Sequence, residues 1–159
     1  MAKADWPIDV NARDVAARTR NSIQLPVLER QGLVSAKDGY VDWRDDENQA
    51  VERVSTRRYE LTAAGREAMK PAKNGKPDLC AGRLEVDRIV SVSGTDEGRA
   101  SVHFQYRFKA EPWVQSDEVR RVFPMVDALL QGEGRMEMQQ GFHVEGAAWV
   151  ADSSVEGAR

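Results

Sequence analysis

Along residues 101–108, Val102, Phe104, Tyr106 and Phe108 alternate with Ser101, His103, Gln105 and Arg107. A period of two, with aromatic and β-branched residues on one parity, predicts a strand that rests one face on a core and shows the other to water. Residues 84–92 repeat the pattern: Leu84, Val86, Val90 and Val92 share one parity, Glu85, Asp87 and Ser91 the other. Arg88 and Ile89 break the alternation, which predicts a bulge or an edge position. Between the two runs, Ser93 to Gly98 is turn material, so 83–108 reads as a hairpin.

The period then changes. Ser116 is a good N-cap, with Asp117 and Glu118 in the first turn, where the helix dipole favours negative charge. Val119, Val122, Phe123, Val126, Leu129 and Leu130 follow at helical spacing. Pro124 inside this stripe either kinks the helix or splits it in two, and Gly132 and Gly134 end it. Alternation returns at Met136, Met138, Gln140, Phe142 and Val144, set against Glu137, Gln139, His143 and Glu145. Ala147–Val150 reads as a short fourth strand after a turn at Glu145-Gly146. Strand, strand, helix, strand, strand is an antiparallel sheet with one helix over its apolar face. Its other face would carry Glu85, Asp87, His103, Gln105, Arg107, Gln139 and His143. Residues 152–159 are small and polar, and read as a flexible tail.

The first seventy residues are less regular. Asp5 to Val10 reads as extended around Pro7. Asn11 caps a helix expected in two pieces, 12–24 and 26–31, interrupted by Pro26 and ended by Gly32. Leu33-Val34 and the run Arg53–Leu61 flank an acidic, turn-rich segment, 38–47. Thr62 caps a short helix, Ala63–Met69. Residues 71–77, with Pro71, Gly75 and Pro77, read as a linker. The expectation is an α+β protein with a helix-plus-β-hairpin part (1–70), the linker (71–77), and the sheet-plus-helix part (78–151).

Composition narrows the functions more than it names one. The chain has 159 residues, 41% hydrophobic and 31% charged, with a formal net charge of −3. Residues 1–75 hold 13 Lys+Arg against 12 Asp+Glu, and 76–159 hold 10 against 14. Neither half offers bulk attraction to nucleic acid or anionic lipid. No stretch approaches the roughly 20 apolar residues of a membrane-spanning helix. An apolar signal-peptide core is likewise missing from the start of the chain. Taken as it stands the chain reads as cytosolic, although a trimmed exported protein would read the same.

Two resemblances add to this. Leu28-Glu29-Arg30-Gln31-Gly32-Leu33-Val34, followed by Arg57-Arg58-Tyr59-Glu60-Leu61-Thr62-Ala63-Ala64-Gly65-Arg66-Glu67, resembles the end of the recognition helix, the wing and the next helix of MarR- or PadR-type winged-helix regulators. Residues 28–67 would then be winged-helix-like, and the resemblance implies that Arg53, Arg57 and Arg58 approach phosphates. The residues themselves pull the other way. Pro26 sits in the recognition helix, the wing tip is acidic, and only about 25 residues precede Leu28, where such a domain places two further helices.

The second resemblance covers nearly the whole chain. Asp5-Trp6-Pro7-Ile8-Asp9-Val10, Gln24-Leu25-Pro26-Val27-Leu28-Glu29, Tyr59-Glu60-Leu61-Thr62, Asp78-Leu79-Cys80-Ala81-Gly82-Arg83 and Val122-Phe123-Pro124-Met125-Val126 look like a group of uncharacterised bacterial proteins of exported or lipoprotein type. That group implies a cell-envelope location but no activity. It also implies a cysteine upstream of Asp5 that could partner Cys80.

Candidate chemistry is sparse. His103 and His143 fall on the polar parity of strands in one sheet, so a metal or acid–base site would require the topology to make them neighbours. Cys80, the single cysteine, lacks a positioned histidine in sequence and reads as a structural thiol. No nucleophile elbow is present, and Gly132-Glu133-Gly134 is a helix stop rather than a phosphate loop. The reading is therefore a non-catalytic binding protein with no cofactor and no metal, whose partner is an unidentified protein or small ligand. Its candidate ligand-binding residues are Asp87, His103, Gln105, Arg107, Gln139 and His143, with the acidic segment 38–47 a second candidate surface. The alternative is a winged-helix regulator in which Arg53, Arg57 and Arg58 meet DNA and the C-terminal sheet senses an effector.

Overall fold

A computed structural model describes residues 6–44, 51–71, 77–94 and 98–157. It confirms the α+β class and divides the chain into two compact units, one of Met1–Ala81 with Pro112–Pro124 and one of Gly82–Glu111 with Met125–Arg159. The sequence placed the division at 71–77. Residues 72–76 lie outside the described ones, while those flanking them form a two-stranded ladder, β4 (Met69–Pro71) with β5 (Pro77–Leu79).

The first unit starts with β1 (Ile8–Asn11), α1 (Ala12–Ala16) and α2 (Arg20–Arg30). β2 (Val34–Arg44), β3 (Val51–Leu61) and α3 (Ala63–Ala68) follow. The sheet order is β1-β3-β2, all antiparallel, so β1 is a third strand added to the expected hairpin. The helical break falls at 17–19, not at Pro26. Asn11 starts α1 with a complete capping box: its Oδ1 accepts from the Arg13 and Asp14 amides at 2.8 and 3.0 Å, and Asp14 Oδ2 accepts from the Asn11 amide at 3.0 Å. Arg18 then turns left-handed (φ 50°), and Thr19 caps a new helix by accepting from Ser22 N at 3.3 Å. Pro26 is accommodated inside α2. It forfeits one backbone bond, but Leu25, Val27 and Leu28 on that helix are all buried.

The expected helix over 116–130 is split by Pro124, and the split matters. α4 (Asp117–Val122) ends at Phe123, which leaves the helical region with a ψ of 73° before the proline, and α5 (Pro124–Gly132) begins with Pro124 as its first residue. α4 belongs to the first unit, after a 3-10 turn at Pro112–Gln115. There Gln24 Nε2 donates to the Val122 carbonyl at 2.9 Å, and Arg30 Nε donates to Glu118 at 2.9 Å. Trp113 meets Phe123 edge-on at 5.9 Å and donates Nε1–H to the Cys80 carbonyl at 3.2 Å. The single stripe from Val119 to Leu130 thus serves two cores: Val119 and Phe123 are buried with the first unit, Val126 with the second.

The second unit is a meander, β6 (Gly82–Ser93), β7 (Arg99–Ala110), β8 (Glu137–Glu145) and β9 (Ala148–Gly157), hydrogen-bonded in that order. The alternation of β7 holds, with Phe104, Tyr106 and Phe108 buried and Arg107 exposed. β6 carries two register shifts, at Asp87 and at Val90. They replace Val90 by Ile89 in its apolar set, so Leu84, Val86, Ile89 and Val92 lie opposite Phe108, Tyr106, Phe104 and Val102. The expected tail is strand as far as Gly157, because the β8 ladder continues past a bulge to pair Gln140 with Val155 and Met138 with Gly157.

Candidate functional site

The polar face of the second unit can be read rung by rung. His103 lies between Ser91 and Gln139, Gln105 between Arg88 and Glu137, and Arg107 opposite Glu85. Asp87, His103, Gln105, Arg107 and Gln139 are therefore brought together. His143 is not, since its rung partner is Arg99, four rungs from the His103–Gln139 pair. That is about 13 Å along the strand. The two histidines cannot share a metal or a proton, and the neighbour arrangement on which an acid–base site depended is excluded.

The polar groups on this face bond to one another. Arg107 Nε donates to Asp87 Oδ1 at 2.6 Å, Arg88 Nε to Gln105 Oε1 at 2.9 Å, and Gln139 Nε2 to Ser101 Oγ at 2.7 Å. Gln105 is 8% exposed, and its bond to Arg88 accounts for a buried amide that would otherwise be costly. Glu85 bridges Lys109 at 3.0 Å and Arg83 at 2.9 Å. The Lys109 hydrogen bond, with the charges around it, holds the Glu85 carboxyl below its ordinary value, and Arg30 does the same to Glu118 in the first unit. A depressed carboxyl stabilises the fold above its unfolded value near 4.5 and loses that contribution as the pH falls through the folded value. Melting temperatures from pH 7 to pH 3 should therefore fall less for Glu85→Gln and Glu118→Gln than for wild type. Parallel curves would show that these pairs do not persist in solution.

A different cluster forms where the tail was expected. His143 Nδ1 lies 2.7 Å from Asp152 Oδ1, beside Arg99 and Ala151 in an open depression. Gln140, 8% exposed, donates Nε2–H to the Asp152 carbonyl at 2.9 Å and so anchors the β9 bulge. Arg99 and Asp152 were missed because strand register places them there: Arg99 is the rung partner of His143 on β7, and Asp152 sits in the bulge of β9. Gly141 leaves room for the Asp152 carboxylate, which a Cβ there would displace. Gly141→Ala should release Asp152 and cost about 1 kcal/mol. His143 ring chemical shifts at fixed pH left unchanged by that substitution would argue against the contact.

In the first unit, the three arginines expected at phosphates have other partners. Arg57 makes two bonds to the Glu29 carboxylate, at 3.0 and 3.1 Å, which raise its pKa further. Arg58 pairs with Asp9 at 3.4 Å, and Arg53 lies over the Tyr40 ring at 5.3 Å. Of the acidic segment, Asp38 sits opposite Arg57 and Asp42 opposite Arg53 on β2, while 45–47 lie outside the described residues. A cleft lined by Trp6, Ile8, Gln24, Leu25, Leu28 and Leu79 holds only ≈ 30 Å³ of free space. That is about the room one water takes in the liquid, far below a ligand pocket.

The apolar side of β6 stands in contrast. Leu84, Val86, Ile89 and Val92 are 41, 59, 62 and 53% exposed, although they share a face with the buried aromatics of β7. Val144 and Trp149, rung partners on β8 and β9, are also exposed. Among known proteins, no family model, no curated protein and no solved structure matches the chain.

Proposed function

We propose that this chain is a non-catalytic binding protein whose contact surface is the apolar side of β6. The observation that carries the proposal is the four-residue aliphatic row Leu84, Val86, Ile89 and Val92, exposed along a twelve-residue edge strand. Soluble proteins rarely leave contiguous apolar surface open unless something binds it. On the polar face, by contrast, Asp87, Gln105, Arg107 and Gln139 already bond within the protein. A photo-crosslinking residue at Ile89, at Arg107 and at Tyr40 tests the assignment in cell extract. A discrete protein adduct is expected from position 89 alone. An adduct only from position 107 would move the site to the polar face and end this reading. The cell-envelope location is supported by the sequence resemblance alone, and fractionation of cells making the tagged protein tests it.

One observation favours the regulator. Two helices, α1 and α2, lie between β1 and β2, and β3 lies between those two strands in the sheet, which is the connectivity of a winged helix. Against it stand the acidic partners of Arg57 and Arg58. Fluorescence anisotropy with a 30-base-pair duplex should show no binding at low salt. Binding that weakens steeply with salt and is lost in Arg53→Ala would reverse the order of the two readings.

A further inference from the structure

We infer that the partner of β6 is a second copy of the same strand, paired antiparallel about a twofold axis at Ile89. The inference rests on the reading that this edge binds protein, and it names the occupant. Three observations carry it.

The first is that the edge carries few of the usual guards. Edge strands are kept from pairing by free charges, prolines, bulges or brevity. β6 runs twelve residues without proline, and its central charges are tied back to β7: Glu85 to Lys109, Asp87 to Arg107, Arg88 to Gln105. The two bulges, at Asp87 and Val90, are the guard it does carry, and a partner strand has to accommodate both.

The second is size. Leu84, Val86, Ile89 and Val92 are each 41–62% exposed, on the order of 300 Å² of apolar side chain in all, at the scale of the largest patch a monomer normally carries. A specific interface buries about 800 Å² per partner, of which somewhat over half is apolar, so this row is the right size for the centre of a small one.

The third is self-complementarity. In an antiparallel pair, residues directly opposite share a face, so a homodimer must set apolar against apolar. With the axis at Ile89, Val86 meets the other copy's Val92, Ile89 meets itself, Glu85 meets Ser93 and Asp87 meets Ser91; the one mismatch is Arg88 against Val90, a bulge residue. No like charges oppose. An axis at Arg88 sets two guanidiniums together, and one at Asp87 sets two carboxylates together and Ile89 against Glu85. Moving it to Val90 makes two mismatches, Arg88 against Val92 and Ile89 against Ser91. The charge and face pattern selects one register.

The test uses the full chain on a Cys80→Ser background. Sedimentation velocity from 1 to 200 μM should show the mass rise from 17.8 kDa to twice that value. Ile89→Lys, which sets two ammonium groups at the axis, should weaken the dimer at least tenfold. Ile89 is 62% exposed, so the substitution should leave the circular dichroism of the monomer unchanged. Register is read by disulfides. Residues facing each other across an antiparallel pair lie about 4.5–5.5 Å apart at Cα, within disulfide reach. Ile89→Cys should oxidise to a covalent dimer. Val86→Cys should do so only when mixed with Val92→Cys. A mass that stays at 17.8 kDa throughout overturns the self-pairing. The crosslinking at position 89 would still judge the binding surface, so the two failures are distinguishable. A dimer that survives Ile89→Lys, or one in which Ile89→Cys does not crosslink, overturns it equally.

Discussion

Gly65→Ala is expected to unfold the first unit or bring it to the edge of unfolding. Gly65 is buried in the first turn of α3, and a Cβ there would run into the Leu33 carbonyl oxygen, with the Leu33 carbonyl carbon and Leu61 Cδ2 each at 3.0 Å. The obstruction is backbone, which cannot rotate away as a flexible side chain would. It is also pinned: the Thr62 amide donates to Leu33 O at 3.1 Å, and the Thr62 hydroxyl bonds Gly32 O at 2.7 Å while capping α3 through the Gly65 amide at 3.0 Å. Relief requires moving α3 off the start of β2. Overpacking in a core costs about 1–3 kcal/mol, and a rigid backbone obstacle puts this case at about 3 kcal/mol or more. Gly39→Ala is the internal control, since a Cβ at 39 would meet nothing nearer than Thr56 Oγ1 at 3.8 Å. Thermal melts should separate the two clearly. Equal melting temperatures would mean that α3 does not approach β2 this closely.

Tyr106→Ala carries the largest expected loss in the second unit. The ring is 1% exposed, and its hydroxyl donates to the Leu129 carbonyl at 3.0 Å, joining β7 to α5. Truncating a buried aromatic costs about 3–5 kcal/mol. Tyr106→Phe keeps the ring and leaves the carbonyl without this donor, so about 1 kcal/mol is expected. Denaturant unfolding of both variants separates packing from the hydrogen bond. Losses of equal size would show that the hydroxyl, not the ring, holds α5. The tyrosine also marks the alkaline limit of stability. Burial pushes its pKa up, so its contribution is complete below the unfolded value near 10 and is lost as the pH rises through the folded value. Tyr106→Phe should therefore unfold less readily than wild type on going from pH 9 to pH 11, relative to its own stability at pH 7.

Several features were legible because they are local. Asn11, Thr62 and Ser116 cap helices where their side chains anticipate it, and the faces of β7 follow directly from its alternation. The bulge in β6 was readable as broken alternation at Arg88 and Ile89, but its consequence was not. Two shifts, at Asp87 and Val90, put Ile89 rather than Val90 on the apolar face, and only pairing with β7 shows which residue is left out. β1 was read as extended but not as part of a sheet. Its partner, Tyr59 opposite Ile8, lies some fifty residues on, and no local pattern encodes that distance.

The sites divide the same way. Which residue types lie on the polar face of the sheet was set by alternation, but whether they meet depended on register, which brings His103 to Gln139 and sends His143 to Arg99. The sequence by itself determined the α+β class, the hydrophobic faces and most helix starts, because these depend on neighbours within about four residues along the chain. Only the tertiary structure decided that one helical stripe serves two cores, that Asp152 meets His143, and that the aliphatic row of β6 stays open to solvent. Each of these depends on which distant segments pack together, a choice made by competition for burial across the whole chain.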